Sequence, residues 1–199
     1  MKISVQALAV ITAALISGCN TKTNNVSPQN LNTTQMQKIW EESGKPSGHH
    51  TLLNPFIGTW DAEVKSWSEP KSRPEVSTAT ETNTWVFDGR FVKEDFRGTL
   101  MGKPYNGVGY LGYDNVRKHF TSTWMSNAET ATWNAHGKIN SAGNEINFRG
   151  VQFDPISGAS ILTLAKSTII NGKTRRYEMT EVMPDGTEFK VLEINYKKR

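Results

Sequence analysis

Cysteine is almost absent from this chain, with Cys19 the only one in 199 residues. No intramolecular disulfide can form, so a folded domain must rest on its apolar core. Histidine is scarce too: His49, His50, His119 and His136 are the whole set. Only the first two are neighbours, and adjacent side chains point apart on a helix or strand, a poor arrangement for one metal ion. The sequence therefore calls for no metal and no cofactor. Long apolar runs are missing as well. The run Ile3 to Ile16 is interrupted by Gln6 and falls short of the roughly 18–20 residues that span a bilayer. The Gly-x-Ser-x-Gly motif of serine hydrolases is absent. Charge of one sign is not in marked excess, since 23 Lys and Arg face 19 Asp and Glu. The basic clusters Arg175-Arg176 and Lys197-Lys198-Arg199 are small, and no nucleic-acid partner is expected.

What is present begins at the N-terminus. Lys2, an apolar run and the small residues Ser17-Gly18 ahead of Cys19 make a secretory signal. The Ile16-Ser17-Gly18-Cys19 segment resembles the lipobox of bacterial lipoproteins. That resemblance implies that Cys19 is lipidated and becomes the first mature residue, anchoring the protein to a membrane. Two acyl chains already suffice for stable anchoring, at about 0.8 kcal/mol per buried methylene. Asn20 rather than Asp follows, which in a Gram-negative envelope implies the periplasmic face of the outer membrane. A plain signal peptide cut near Ser17-Gly18 is the alternative. The expected organisation is a signal peptide over 1–18, a polar tether over 19–34 and one domain over 35–199. The Asn- and Thr-rich tether has too little apolar content to fold. As a flexible chain it would set the domain roughly 20 Å from its anchor.

Met36, Ile39 and Trp40 predict one apolar face of a short helix over 35–43, and a second short helix is expected between Gly48 and Pro55. From Gly58 onward, β-branched and aromatic residues fall in short runs separated by turn residues. Strands are predicted over 58–68, 76–87, 90–99, 105–113, 118–126, 129–140, 145–153, 160–170, 174–183 and 187–197. Asp88-Gly89, Asn171-Gly172 and Asp185-Gly186 are dipeptides that accept positive φ in tight hairpins. Hairpin following hairpin predicts an all-β antiparallel meander, closed into a barrel of about eight to ten strands. In the first strand Trp60, Ala62, Val64 and Ser66 share the inner face, because Asp61, Glu63 and Lys65 occupy the other.

Pro55-Phe56-Ile57-Gly58-Thr59-Trp60 resembles the opening of calycin-type barrels, the lipocalins and their relatives. The resemblance implies that Trp60 packs across the closed end of the barrel, under a short N-terminal helix. Further motifs follow in order: Phe87-Asp88-Gly89-Arg90-Phe91, Met101-Gly102-Lys103-Pro104-Tyr105, Gly109-Tyr110-Leu111-Gly112-Tyr113-Asp114-Asn115, and Asp185-Gly186-Thr187-Glu188-Phe189-Lys190-Val191. Together they resemble a bacterial domain-of-unknown-function family with a lipocalin-like barrel, over about residues 36 to 197. That family implies a fold but no activity and no catalytic residues. Haem-binding barrels of the nitrobindin type share Gly-x-Trp and use a His on a late strand. No His follows His136 here, so a haem role is unsupported.

Six tryptophans are many for this length. Trp60, Trp85, Trp124 and Trp133, with Tyr110, are the candidate ligand-binding residues, since aromatic side chains dominate the walls of small-molecule sites. Core packing is the competing role for them. The glycines at 107, 109 and 112 are read as allowing strand curvature, with close approach of a ligand as the alternative. Helix-cap or surface roles are expected for His49 and His50. Glu94, Asp95, His119, His136 and Glu145 are scattered; isolated acids at alternating strand positions are expected to face solvent. The leading expectation is a lipid-anchored envelope protein that binds or carries a small hydrophobic ligand. A structural or stress-related envelope interaction protein with a filled barrel is the alternative, and an enzyme the third reading. An interior packed solid by Trp60, Trp85 and Trp124 would exclude the first reading, and a cavity of roughly 300 Å³ or more with few polar groups would support it.

Overall fold

The computed structural model describes residues 31–100 and 102–199. Cys19, the signal segment and the tether up to residue 30 lie outside the described residues. Among the described residues, those up to Lys38 and those from Ile39 to Arg199 belong to separate units. Helix α1 (Thr33–Ser43) begins two residues ahead of the expected start. Its first turn is capped reciprocally: Gln35 N–H donates to Asn32 Oδ1 and Asn32 N–H donates to Gln35 Oε1, both at 2.9 Å. Met36, Ile39 and Trp40 are exposed, and no residue of α1 is buried. Among the described residues no helix is long and apolar enough to cross a membrane.

The second unit is a closed antiparallel barrel. Its strands are β1 (Gly58–Ser66), β2 (Glu75–Val86), β3 (Phe91–Leu100), β4 (Lys103–Asp114), β5 (His119–Ser126), β6 (Trp133–Ile139), β7 (Glu145–Phe153), β8 (Ser160–Asn171), β9 (Thr174–Val182) and β10 (Glu188–Lys198). Each strand pairs with its neighbours in sequence, and β10 closes on β1. Short hairpins leave no chain for crossovers, and closure leaves no unpaired edge. The largest departure from the predicted strands is the start of β6. Asn127 stays bound to β4, its N–H donating to Asn106 O at 3.0 Å and its Oδ1 accepting from Asn106 N–H at 2.9 Å. Residues 127–132 are consequently a loop.

Two of the three predicted glycine turns take positive φ. Phe87, Asp88 and Gly89 have φ of 51°, 54° and 80°, and Gly186 has 84°. Asn171-Gly172 differs, with neither residue at positive φ. There the register shifts between Ile169 and Asn171, and Asn171 Oδ1 accepts from Lys173 N–H at 2.8 Å. A bulge supplies the twist that a mirror-image turn would otherwise provide.

β1 takes the predicted phase, with Trp60, Ala62 and Val64 buried and Asp61 and Glu63 exposed. One end of the barrel is plugged by α2 (Gly48–Thr51) and a 3-10 turn over Asn54–Phe56. These place Leu53 and Phe56 in a core with Val92, Leu111 and Phe120. Burying each contributes about 1.5–3 kcal/mol. Hydrogen bonds from two turns hold the segment that leads into the plug. Asn115 Nδ2 donates to Ser43 O and Lys45 O at 3.0 and 2.7 Å, and Arg90 Nε donates to Gly44 O at 2.9 Å. The His49 ring stacks on Tyr113 at 4.2 Å. His50 is buried and its Nδ1 accepts from Ser47 N–H at 2.9 Å. Desolvation lowers its pKa below the usual histidine value. Trp60 lies beneath, its Nε1 donating to Phe56 O at 2.8 Å.

Candidate functional site

The inner face of the barrel encloses a cavity of about 250 Å³. Phe96, Trp124, Trp133, Phe148, Met179 and Ile194 form much of its wall. Its mouth lies at the end opposite the plug, where Thr99, Leu100 and Glu129 line it. Two of the five candidate aromatics therefore meet here. Trp60, Trp85 and Tyr110 do not line the cavity. Trp60 belongs to the packed core below it, and Trp85 sits at the plug, its Nε1 donating to Asn54 Oδ1 at 3.1 Å. Tyr110 is on the outer face, because the alternate residues Gly109 and Leu111 point inward and are buried.

The two indoles of the wall lie over inward-facing glycines of adjacent strands. A Cβ on Gly107 would stand 2.1 Å from Trp124 Cζ2, and one on Gly150 would stand 2.7 Å from Trp133 Nε1. Close approach of a side chain thus requires glycine at 107, one of the positions where strand curvature was expected, and at 150. Trp133 Nε1 donates to Thr163 Oγ1 at 2.8 Å and Trp124 Nε1 donates to Tyr105 Oη at 3.0 Å, so neither indole N–H is left unpaired.

The deeper end of the cavity is polar. Glu81 and Arg175, each 2% exposed, form a buried ion pair between β2 and β9. Tyr196 Oη donates to Glu81 Oε2 at 2.8 Å and Asn83 Nδ2 to Glu81 Oε1 at 2.7 Å. The Arg175 guanidinium lies 3.6 Å over the Tyr196 ring and 5.0 Å over that of Trp60. Its charge is thus both paired and stacked. Its Nε, like Asn83 Oδ1, is buried without a hydrogen-bond partner among the described residues.

Glu94 stands apart from this network. It alternates with the buried Val92 and Phe96 on β3, so its side chain points inward. It is half-buried, and the surface it keeps faces the cavity it lines. Desolvation, with the nearby Glu81 charge, pushes its carboxyl up to about 8, against the opposing pull of Arg175. The expectation that Glu94 faces solvent is corrected: its phase with Val92 and Phe96 was the available signal. The same phase signal existed for Arg175 with Tyr177 and Met179. Burial pushes the Tyr177 and Tyr196 hydroxyls upward too, so both are protonated donors.

No histidine lines the cavity. His119 and His136 come together with ring centroids 5.2 Å apart, but on the outer face, each beside inward-pointing neighbours. Among the described residues no three His, Cys, Asp or Glu converge as a metal-binding group.

The barrel is similar to solved structures. Rv2717c from M. tuberculosis matches with a TM-score of 0.58 at 15% identity, over 78% of this chain and 99% of that one. A redesigned beta barrel matches with a TM-score of 0.39 at 11% identity, over 76% of this chain and 95% of that one. The first shares the fold. No curated protein matches this sequence significantly. The model of the family described as "Protein of unknown function (DUF1579)" matches residues 45–198, which is most of the chain, and the protein belongs to that family.

Proposed function

We propose that this barrel binds a small, largely apolar ligand in its interior, and does so at the cell envelope through a lipidated Cys19. The cavity itself carries the binding half of this reading. Protein interiors close to crystal-like density and leave few voids larger than a water molecule. A chamber of about 250 Å³ with aromatic walls and a mouth is therefore unusual in a core otherwise well packed. Scaling from a cavity of roughly 150 Å³ that holds benzene, it takes about ten non-hydrogen atoms. It falls short of the roughly 300 Å³ expected of a ligand site, but the interior is not packed solid, and its lining has the composition of such sites: apolar walls with a few placed polar groups.

A thermal-shift titration with 1-octanol, wild type against Ser122→Phe, tests the binding half. Ser122 lines the cavity, and a phenyl ring there occupies it. Wild-type melting temperature is expected to rise with ligand concentration and that of the variant to stay fixed. Equal shifts in both proteins would exclude the cavity as the site. The envelope half rests on the lipobox resemblance and the polar segment after it. Cys19→Ser is expected to move the protein from the membrane fraction to the soluble one. Retention of that variant in the membrane would show that another element anchors it.

A further inference from the structure

We infer that Glu94 anchors the polar end of the ligand, and that this end is an amine or another cationic nitrogen. The inference rests on the cavity being a ligand site and specifies the ligand class. The Glu94 carboxyl lies over Gly109, where a Cβ would stand 2.6 Å from Oε2. Gly109 also leaves room for Trp124, whose Cε3 would be 2.9 Å from the same Cβ. A carboxyl and an indole thus adjoin one another at the cavity wall. That pairing recognises an alkylammonium twice, by charge and by the ring face.

Glu94 makes no side-chain hydrogen bond among the described residues. The one cation around the cavity, Arg175, makes no ion pair with it and acts on it only at a distance. From β2 comes Glu81, a second acid. From β9 come Arg175, already bonded to Glu81, and the Tyr177 phenol. β4 and β10 contribute the phenols of Tyr105 and Tyr196, and Glu129 stands at the mouth. One guanidinium therefore faces two interior carboxyls, and the second is uncompensated. A buried carboxylate without a partner is strongly unfavourable, so the empty site holds the proton. An arriving ammonium replaces it: the Glu94 O–H bond breaks, the proton leaves to solvent, and N–H···O contacts form. Binding then strengthens as pH rises toward the Glu94 titration and levels off above it.

Isothermal titration calorimetry with octylamine, 1-octanol and octanoate tests this. Each probe has about the ten non-hydrogen atoms the cavity accepts. Wild type should bind octylamine most tightly, with affinity rising up to about tenfold per pH unit between about pH 6 and 8. Buffers of different ionisation enthalpy should report about one proton released near pH 6.5. Glu94→Gln should keep 1-octanol binding and lose both the amine preference and the proton release. If that variant does not fold, the wild-type proton release and pH slope decide alone. Equal affinity for amine and alcohol, tighter binding of octanoate, or absence of proton release would overturn the anchor and leave the cavity reading standing. Failure of all three probes to bind would overturn both.

Discussion

Glu94 and Arg175 show how one charged side chain can be settled inside a barrel and another left waiting. Arg175 has a carboxylate partner and aromatic faces around it. Replacing it by Met would leave Glu81 buried without its counter-charge, and a loss of about 3–5 kcal/mol is expected in urea denaturation. The double variant Glu81→Gln/Arg175→Met should recover part of that loss, because no lone charge remains. Glu94 has no ion pair or side-chain hydrogen bond among the described residues, and its folded-state pKa of about 8 stands above an ordinary value of 4.5. Between those values the folded protein holds a proton that the unfolded chain has released. Stability therefore falls as pH rises from about 4.5 through 8, and the decline ends above 8. Relative to Glu94→Gln, wild type should lose on the order of a few kcal/mol between pH 5 and 9. Parallel stability profiles for the two proteins would contradict a buried, partnerless carboxyl.

At the scale of elements, β4 carries the most specific design. Its inward glycines make the bed on which Trp124 lies, and the Trp124–Gly109–Glu94 contact joins β5, β4 and β3. Gly107→Ala places a methyl inside the indole, and a loss of about 1–3 kcal/mol is expected from overpacking, measured by chemical denaturation. The same substitution at Gly143, where nothing lies within 4 Å but φ is 74°, acts through backbone strain alone and should leave Trp124 fluorescence unchanged. This contrast also marks what was legible in the sequence. Strands and hairpins were legible because alternation and turn dipeptides act locally, as β1 and the Phe87–Gly89 turn show. Trp60 at the closed end was legible through the Gly58-Thr59-Trp60 motif. The role of Gly107 and Gly109 was not, since it depends on which rings lie across the neighbouring strand. Nor was the inward group Glu81, Glu94 and Arg175. These residues come from β2, β3 and β9, and only register in a closed sheet brings them together. Strand phase pointed Glu94 and Arg175 inward, but it carried nothing about which residues of the other strands they would meet.

For the whole molecule, closure and the plug act together. Ten strands without an edge form the wall, and Leu53, Phe56 and Trp60 seal one end. The cavity is then reached from the opposite mouth, beside Thr99 and Glu129. A barrel plugged at one end and open at the other is suited to holding a small molecule. The direct measurement is native mass spectrometry of wild type and Ser122→Phe, each purified from its own membranes and compared with its denatured mass. Wild type should carry an additional mass matching a nitrogen-containing molecule of about ten non-hydrogen atoms, released on denaturation, and Ser122→Phe should not. A wild-type native mass equal to the lipidated chain alone, or the same adduct on both proteins, would contradict a ligand held in the barrel.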